Sequence, residues 1–495
     1  MKEMLKIDKK EIAATILVGI IILITFLYGS YKIENIVVNE IKLKICYSIL
    51  IILCILEFSI SLYFLNNKTI KPEKAFLIIV PLFCILLTLS MPLSKGHDET
   101  IHGLRIYEYV EGKFISNGIK AYLEEGVINA IDNKPTYESI FNNEKTYDTN
   151  TQKIEWGYRI AAYSPLTYLP QIIGINIGRI FTTNSIIHFY IARIANIITC
   201  TIMLYFAIKI IPYGKNMMFL LCIIPIVIEG FSTLSADGML ISASFLFIAY
   251  ILKLREEKNK KISKKDIIIL SVLSIIIALS KTIYIILLPL LFLIPKEKFK
   301  NNKTKIIFIA IICIVSAILD IGWYIIGIQK DTFFVEAGNN PVGFIISNPI
   351  EYVKKLLYTI IKNTPQYIQE MFGLKLEWNE AITIPIFPIA LLILSILIST
   401  LGKIKTNFKR MEKILLVTII ISCILLVFTS MFISWSETET LEIMGIQGRY
   451  FIPILPLVFL LIGNFLEDSK TTKIISILGS IMQIYVIMEL VLYHI

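Results

Sequence analysis

The sequence predicts an all-α polytopic membrane protein, a bundle of about 12–14 membrane helices with a large first extracytoplasmic loop. Three observations predict it. Hydrophobic residues make up 56% of the 495 positions. Apolar runs of about 20 residues, the length that crosses a bilayer, recur along the chain. Lys and Arg concentrate in short segments between those runs, as they do in cytoplasmic loops. The net charge of +10 suits such loops and requires no nucleic-acid partner. Cys46, Cys54, Cys84, Cys200, Cys222, Cys313 and Cys423 all fall in apolar runs, with no CxxC spacing. They read as small packing residues, which excludes a disulfide frame and a cysteine metal site.

Residues 1–91 form the first unit, with membrane helices near 12–31, 45–65 and 75–91. Lys2, Lys6, Lys9 and Lys10 precede the first run and place the N-terminus in the cytoplasm. That run is too long for a signal-peptide core and lacks a small-residue cleavage site, so it reads as a retained helix. Segment 92–160 is then extracytoplasmic; it begins as a helix, and its middle, around 132–150, reads as exposed turns. Residues 161–328 hold the central membrane helices. Counting back from the basic loop Lys253 to Lys265, one of the three elements between 163 and 233 does not cross, and the Pro-broken 163–180 is the choice. Basic loops also flank 267–295. Two crossings need about 40 residues, so this hairpin is short and Lys281 lies at its apex near the outer leaflet. Segment 329–380 is a second extracytoplasmic region, with amphipathic Ile350 to Phe372 lying on the membrane. Residues 381–495 supply the C-terminal helices.

Candidate functional residues fall on one side of this arrangement. Asp98, Glu99, His102 and Arg105 follow the third membrane run at helical spacing, which puts them on neighbouring faces. Asp237, Lys281 and the stretch Gln447, Arg449, Tyr450 lie at the same membrane border. Acids that accept a proton beside cations that hold a phosphate suit chemistry on a phosphorylated lipid. The bland readings are solvated helix-start acids for Asp98 and Glu99, a packing His102, an N-cap Asp237, a snorkelling Lys281, and an interfacial anchor at Arg449. Glu377, Trp378 and Glu380 read as interfacial decoration. Asp98 with His102 would be an incomplete metal shell.

Five motifs in order carry a resemblance. PxxxxxDExxHxxRxYEYxxGKF, YSPLTYLPQxxGxxxGR, LSADGMLISASF, ALSKTIYIILLPLL and QGRYFIPILPL, spanning Pro92 to Pro456, resemble the bacterial membrane family called domain of unknown function 2142. That family looks like a branch of the GT-C glycosyltransferase superfamily. The resemblance implies a multi-pass protein of the bacterial cytoplasmic membrane with an extracytoplasmic active site. It implies Asp98 as catalytic carboxylate with Glu99 beside it, and Lys281 and Arg449 as phosphate contacts. It implies a polyprenyl-phosphate-linked sugar donor and an envelope glycan, lipid or protein acceptor. No cofactor is required; a divalent Mg or Mn ion is compatible. The competing readings are a transporter or flippase of lipid-linked glycan and a non-catalytic partner in envelope assembly. His102, Arg105, Asp237, Gln447 and Tyr450 complete the expected substrate-binding set.

Overall fold

The computed structural model describes residues 9–37, 39–116, 120–132, 152–155, 163–257, 260–327, 340–377 and 382–494. The expected turns at 133–150, together with Trp378 and Glu380, lie outside those residues. The first unit contains α1 (Lys9–Ile36), α2 (Glu40–Asn66) and α3 (Pro72–Ser90). The polar segment contributes α4 (Glu99–Val110) and the short α5 (Glu125–Asp132). The central region runs α6 (Leu169–Phe181), α7 (Ser185–Ile210), α8 (Lys215–Cys222), α9 (Pro225–Ser232), α10 (Asp237–Glu256) and α11 (Lys264–Ser280). A 3₁₀ helix, Thr282–Leu293, returns to α12 (Asn302–Ile326). Then follow α13 (Pro341–Ser347), α14 (Pro349–Met371), α15 (Ile386–Thr400), α16 (Arg410–Trp435), a 3₁₀ turn at Gly448–Ile454, α17 (Leu455–Ile462) and α18 (Ser469–His494). The described strands pair only as two-stranded antiparallel ribbons, one of them Lys120–Leu123 with Gln152–Glu155.

Among the described residues, eight helices are long and apolar enough to span a membrane, or nine counting the bent pair α8–α9. Three shorter apolar helices accompany them, so the lower end of the expected 12–14 is reached when the bent pair and every short piece are counted. The spans differ in what they face. Those of α10 and α18 are 89% buried, whereas those of α1 and α12 are 22% buried and expose Ile16, Leu23, Ile314 and Ile318. Helices apolar on every side belong either inside a large core or against lipid, and this fold uses both places.

The central region settles around α7. Helix α6 has 13 residues, about 20 Å of rise, short of the roughly 30 Å hydrocarbon core. It packs on α7 closely enough that a Cβ at Gly174 would meet the Ala192 Cα at 2.6 Å. The next crossing is broken: α8 and α9 meet at 61°, with Pro225 opening α9.

The hairpin expected at 267–295 is present and compact. Its return arm is 3₁₀, and 12 residues at about 2.0 Å each reach roughly 24 Å, further than the same residues would as α-helix. The flanking basic loops sit side by side, Ile262 N donating to Lys298 O at 3.0 Å. At that same end Arg255 ties to Glu412 at 2.8 Å and to Asn407 O at 2.7 Å. The opposite end gathers the C-termini of α3, α11 and α12 and the N-termini of α7 and α10, and there the candidate residues lie.

Candidate functional site

Helix α3 ends at Ser90 with carbonyls that have no partner inside the helix. Arg193, on α7 and fully buried, supplies one. Its Nη1 donates to Thr88 O at 3.1 Å and Met91 O at 2.7 Å, and its Nη2 donates to Pro92 O at 2.9 Å. The remaining donors grip Glu99, Nε to Oε1 at 2.8 Å and Nη2 to Oε2 at 2.6 Å. All five guanidinium N–H groups are thereby used. Glu99 also accepts from Leu234 N at 2.8 Å and Gly96 N at 3.3 Å. Glu99 therefore does not share the reacting position expected for it beside Asp98: it is fully buried, and it staples the loop 91–99 to α7.

That staple fixes the turn carrying Asp98. Asp98 precedes α4 with a left-handed backbone, φ 56°, a conformation costly for a non-glycine residue and kept only when its surroundings impose it. The preceding residue is held as firmly. Glu229 Oε1, on α9, accepts from His97 N at 2.9 Å and contacts His97 Nδ1 at 2.6 Å. The other Glu229 oxygen accepts from Glu377 N at 3.3 Å. Glu377 is itself buried, its Oε1 against His494 Nε2, which corrects the expectation of an exposed interfacial acid.

Asp98 faces Arg449, whose Nη2 donates to Asp98 Oδ2 and whose Nη1 donates to His97 O at 3.3 Å. Arg449 Nη1 also lies 3.4 Å from Asp237 Oδ2, and Lys281 Nζ donates to Asp237 Oδ1 at 3.3 Å. Four of the candidates, from four separate parts of the chain, thus form one chain of charge: Asp98, Arg449, Asp237, Lys281. Asp237 does not cap its helix; Ser235 Oγ accepts its N–H at 3.1 Å, and the carboxylate is left for the two cations. Lys281 is not snorkelling either. Its ammonium sits 4.2 Å from the centre of the Tyr450 ring and 5.8 Å from that of Tyr163. Tyr450 contributes its carbonyl as well, accepting from Tyr284 OH at 2.6 Å. The network is open. Arg449 Nε and Gln447 Oε1 are buried without a hydrogen-bond partner among the described residues. A cavity of about 10 Å³ beside the cluster is lined by His97, Glu229, Asp237 and Arg449 among others. It has room for roughly one water, so a larger substrate enters only if the loops part.

Of the remaining candidates, His102 borders the cluster through Tyr163 and Arg105 lies away from it. His102 is buried, its Nδ1 at 2.6 Å from Tyr168 OH and its ring stacked on Tyr163 at 5.7 Å. Burial pulls its pKa from 6.5 down to about 4, against the opposing pull of Asp98 and Asp237. Arg105 is fully buried, paired with Glu108 at 2.6 Å, bonded to Phe114 O at 3.0 Å, and set over the Tyr109 ring at 4.1 Å. It braces α4 and does not reach the cluster. Among the described residues no group of three or more His, Cys, Asp or Glu is placed to hold a metal ion. Asp98 is turned to Arg449 and His102 to Tyr168.

Three residues that matter here were not singled out in the sequence: Arg193, Glu229 and His97. Arg193 and Glu229 carried a legible signal, since each is an ionisable residue inside an apolar run, and such residues need a buried partner.

A family model described as "Predicted membrane protein (DUF2142)" matches residues 77–458. No curated protein matches the chain, and no solved structure does.

Proposed function

The chain belongs to the DUF2142 family of membrane proteins, and from that premise we propose that it is a membrane glycosyltransferase, moving a sugar from a polyprenyl-phosphate-linked donor to an acceptor on the extracytoplasmic face. The observation that carries this reading is the linked set Asp98–Arg449–Asp237–Lys281 at one end of the bundle. Two cations stand there already neutralised by carboxylates, and a donor phosphate is a better partner for Arg449 than one carboxylate is. When the phosphate takes Arg449, Asp98 is released. Its carboxylate then accepts the proton of an acceptor hydroxyl as that oxygen attacks the anomeric carbon. The bond from that carbon to the phosphate oxygen breaks, and its electron pair leaves with the polyprenyl phosphate. Arg449 and Lys281 hold the added negative charge. Attack opposite the leaving group inverts the sugar. The resemblance to the GT-C superfamily, whose relatives carry an acidic motif in the first external loop, supports the same assignment, as do the basic loops at the far end of the bundle for the cytoplasmic side.

The test is transfer by purified protein in nanodiscs supplied with polyprenyl-phosphate sugars and envelope acceptors. Asp98→Asn is expected to slow transfer by about 10²–10⁴-fold while the protein inserts and folds. Lys281→Ala is expected to weaken binding of polyprenyl phosphate itself. Full transfer by Asp98→Asn removes the base assignment, and unaltered phosphate binding by both Lys281→Ala and Arg449→Ala removes the site.

One observation favours a second reading, translocation of a lipid-linked glycan. The bent crossing α8–α9 resembles the interrupted helices of transporters. Lipid movement in reconstituted vesicles without any sugar transfer would select it.

A further inference from the structure

Helix α14 has two apolar faces, and the protein covers only one. Tyr352, Leu356 and Tyr367 are buried against Phe428 and Phe432 of α16. Tyr352 OH lies 2.7 Å from Thr429 Oγ1, and Thr359 Oγ1 accepts Ile443 N at 3.0 Å. The other face starts in α13 and runs Ile346, Ile350, Val353, Leu357, Ile361, Ile368. Within α14 the positions Ile350, Val353, Leu357, Ile361 and Ile368 recur at helical spacing and form one stripe, with Ile346 of α13 just ahead of it. Three of them, Ile346, Ile350 and Ile361, are 76%, 74% and 78% exposed. A helix facing water on that side would carry polar residues there. Charged groups sit at the stripe's edge instead, Lys354 pairing with Glu351 at 3.2 Å.

What covers the stripe follows from its neighbour. Helix α16 is a candidate membrane span, and its own outward face exposes Ile421, Leu425 and Ile433. Because α14 docks on Phe428 and Phe432 of that span, its stripe continues the lipid-facing surface of α16. We infer that α13 and α14 form an interfacial anchor, with Ile346 to Ile368 sunk into the bilayer leaflet on the side of the ion-pair cluster.

The anchor is tied directly to the cluster. Glu370, near the end of α14, accepts Gly448 N at 2.7 Å. Gly448 presses on the helix so closely that a Cβ there would meet Tyr367 O at 2.0 Å. Arg449 is the next residue. The depth at which α14 rides therefore sets the height of Arg449 relative to the lipid headgroups, whatever reaction the cluster performs.

Nitroxide labels on the full chain in phosphatidylcholine–phosphatidylglycerol nanodiscs test this. Ile350→Cys and Ile361→Cys place labels on the stripe, Leu425→Cys gives a lipid reference and Lys354→Cys an aqueous one. All four sites face outward, and six of the seven native cysteines are buried, with Cys313 partly so. Labels at 350 and 361 are expected to collide with dissolved oxygen several-fold more than with a water-soluble nickel chelate, as at 425. Collision ratios matching those at 354 overturn the anchor. So does strong dipolar broadening between copies, which would mean that a second chain covers the stripe.

Discussion

Asp98 and Glu99 are adjacent acids, each met by an arginine, and their fates differ. Glu99 and Arg193 form a closed network: every guanidinium hydrogen is placed, and the carboxylate accepts four bonds. Asp98 and Arg449 form an open one, shared with Asp237 and Lys281, with Arg449 Nε left over. A closed ionic network holds a loop. An open one can exchange a partner for a substrate. One left-handed residue divides them, because the turn at Asp98 sends the two side chains to different surroundings.

The comparison can be broken from the closed side first. Arg193→Leu strands a buried carboxylate and is expected to cost about 3–5 kcal/mol, read from unfolding in detergent. The double variant Arg193→Leu/Glu99→Leu should recover part of that loss. On the open side, Asp98→Asn should leave the unfolding transition nearly in place and, under the proposed glycosyltransferase reading, slow transfer by about 10²–10⁴-fold. Equal destabilisation by the two single variants would erase the distinction between the networks.

A third measurement uses pH. His102 is neutral in the fold with a pKa near 4, against 6.5 for the free group. As pH falls below 6.5 the unfolded chain takes up a proton that the folded chain refuses. Stability contributed by His102 is thus complete above pH 6.5, declines by about 3 kcal/mol as pH drops to about 4, and then levels. His102→Gln should flatten that part of the stability–pH curve. The smallest effect is expected at the brace between the networks. Glu229→Gln weakens two bonds to His97 and should cost about 1–2 kcal/mol, with a shift in the histidine resonances of His97 rather than of His102.

Much of this architecture was legible before any coordinates. Run length and loop charge marked the spans, and the shortage of residues between two basic loops placed Lys281 at an apex. The gathering of Asp98, Asp237, Lys281 and Arg449 followed from counting which ends share a side. What was hidden depended on tertiary detail. Periodicity treats 98 and 99 as equivalent, and only the backbone sign at Asp98 separates them. His102 and Arg105 were grouped with Asp98 by helical spacing, yet α4 turns them toward Tyr168, Tyr109 and Glu108. Arg193 looked like one charge inside an apolar run, and its partners come from the end of α3 and the loop after it, 94 to 105 residues away.

The arm behind Lys281 gives that lysine a mechanical setting. Residues Thr282–Leu293 are wound as 3₁₀, which is longer per residue and less well hydrogen-bonded than α. Rewinding all 12 of them would shorten the arm by about 6 Å, nearly twice the span of the Lys281–Asp237 contact at 3.3 Å. The 3₁₀ winding thus lets a return arm of only 12 residues run from Lys281, at the cluster end of the bundle, back to the basic loop at the other end.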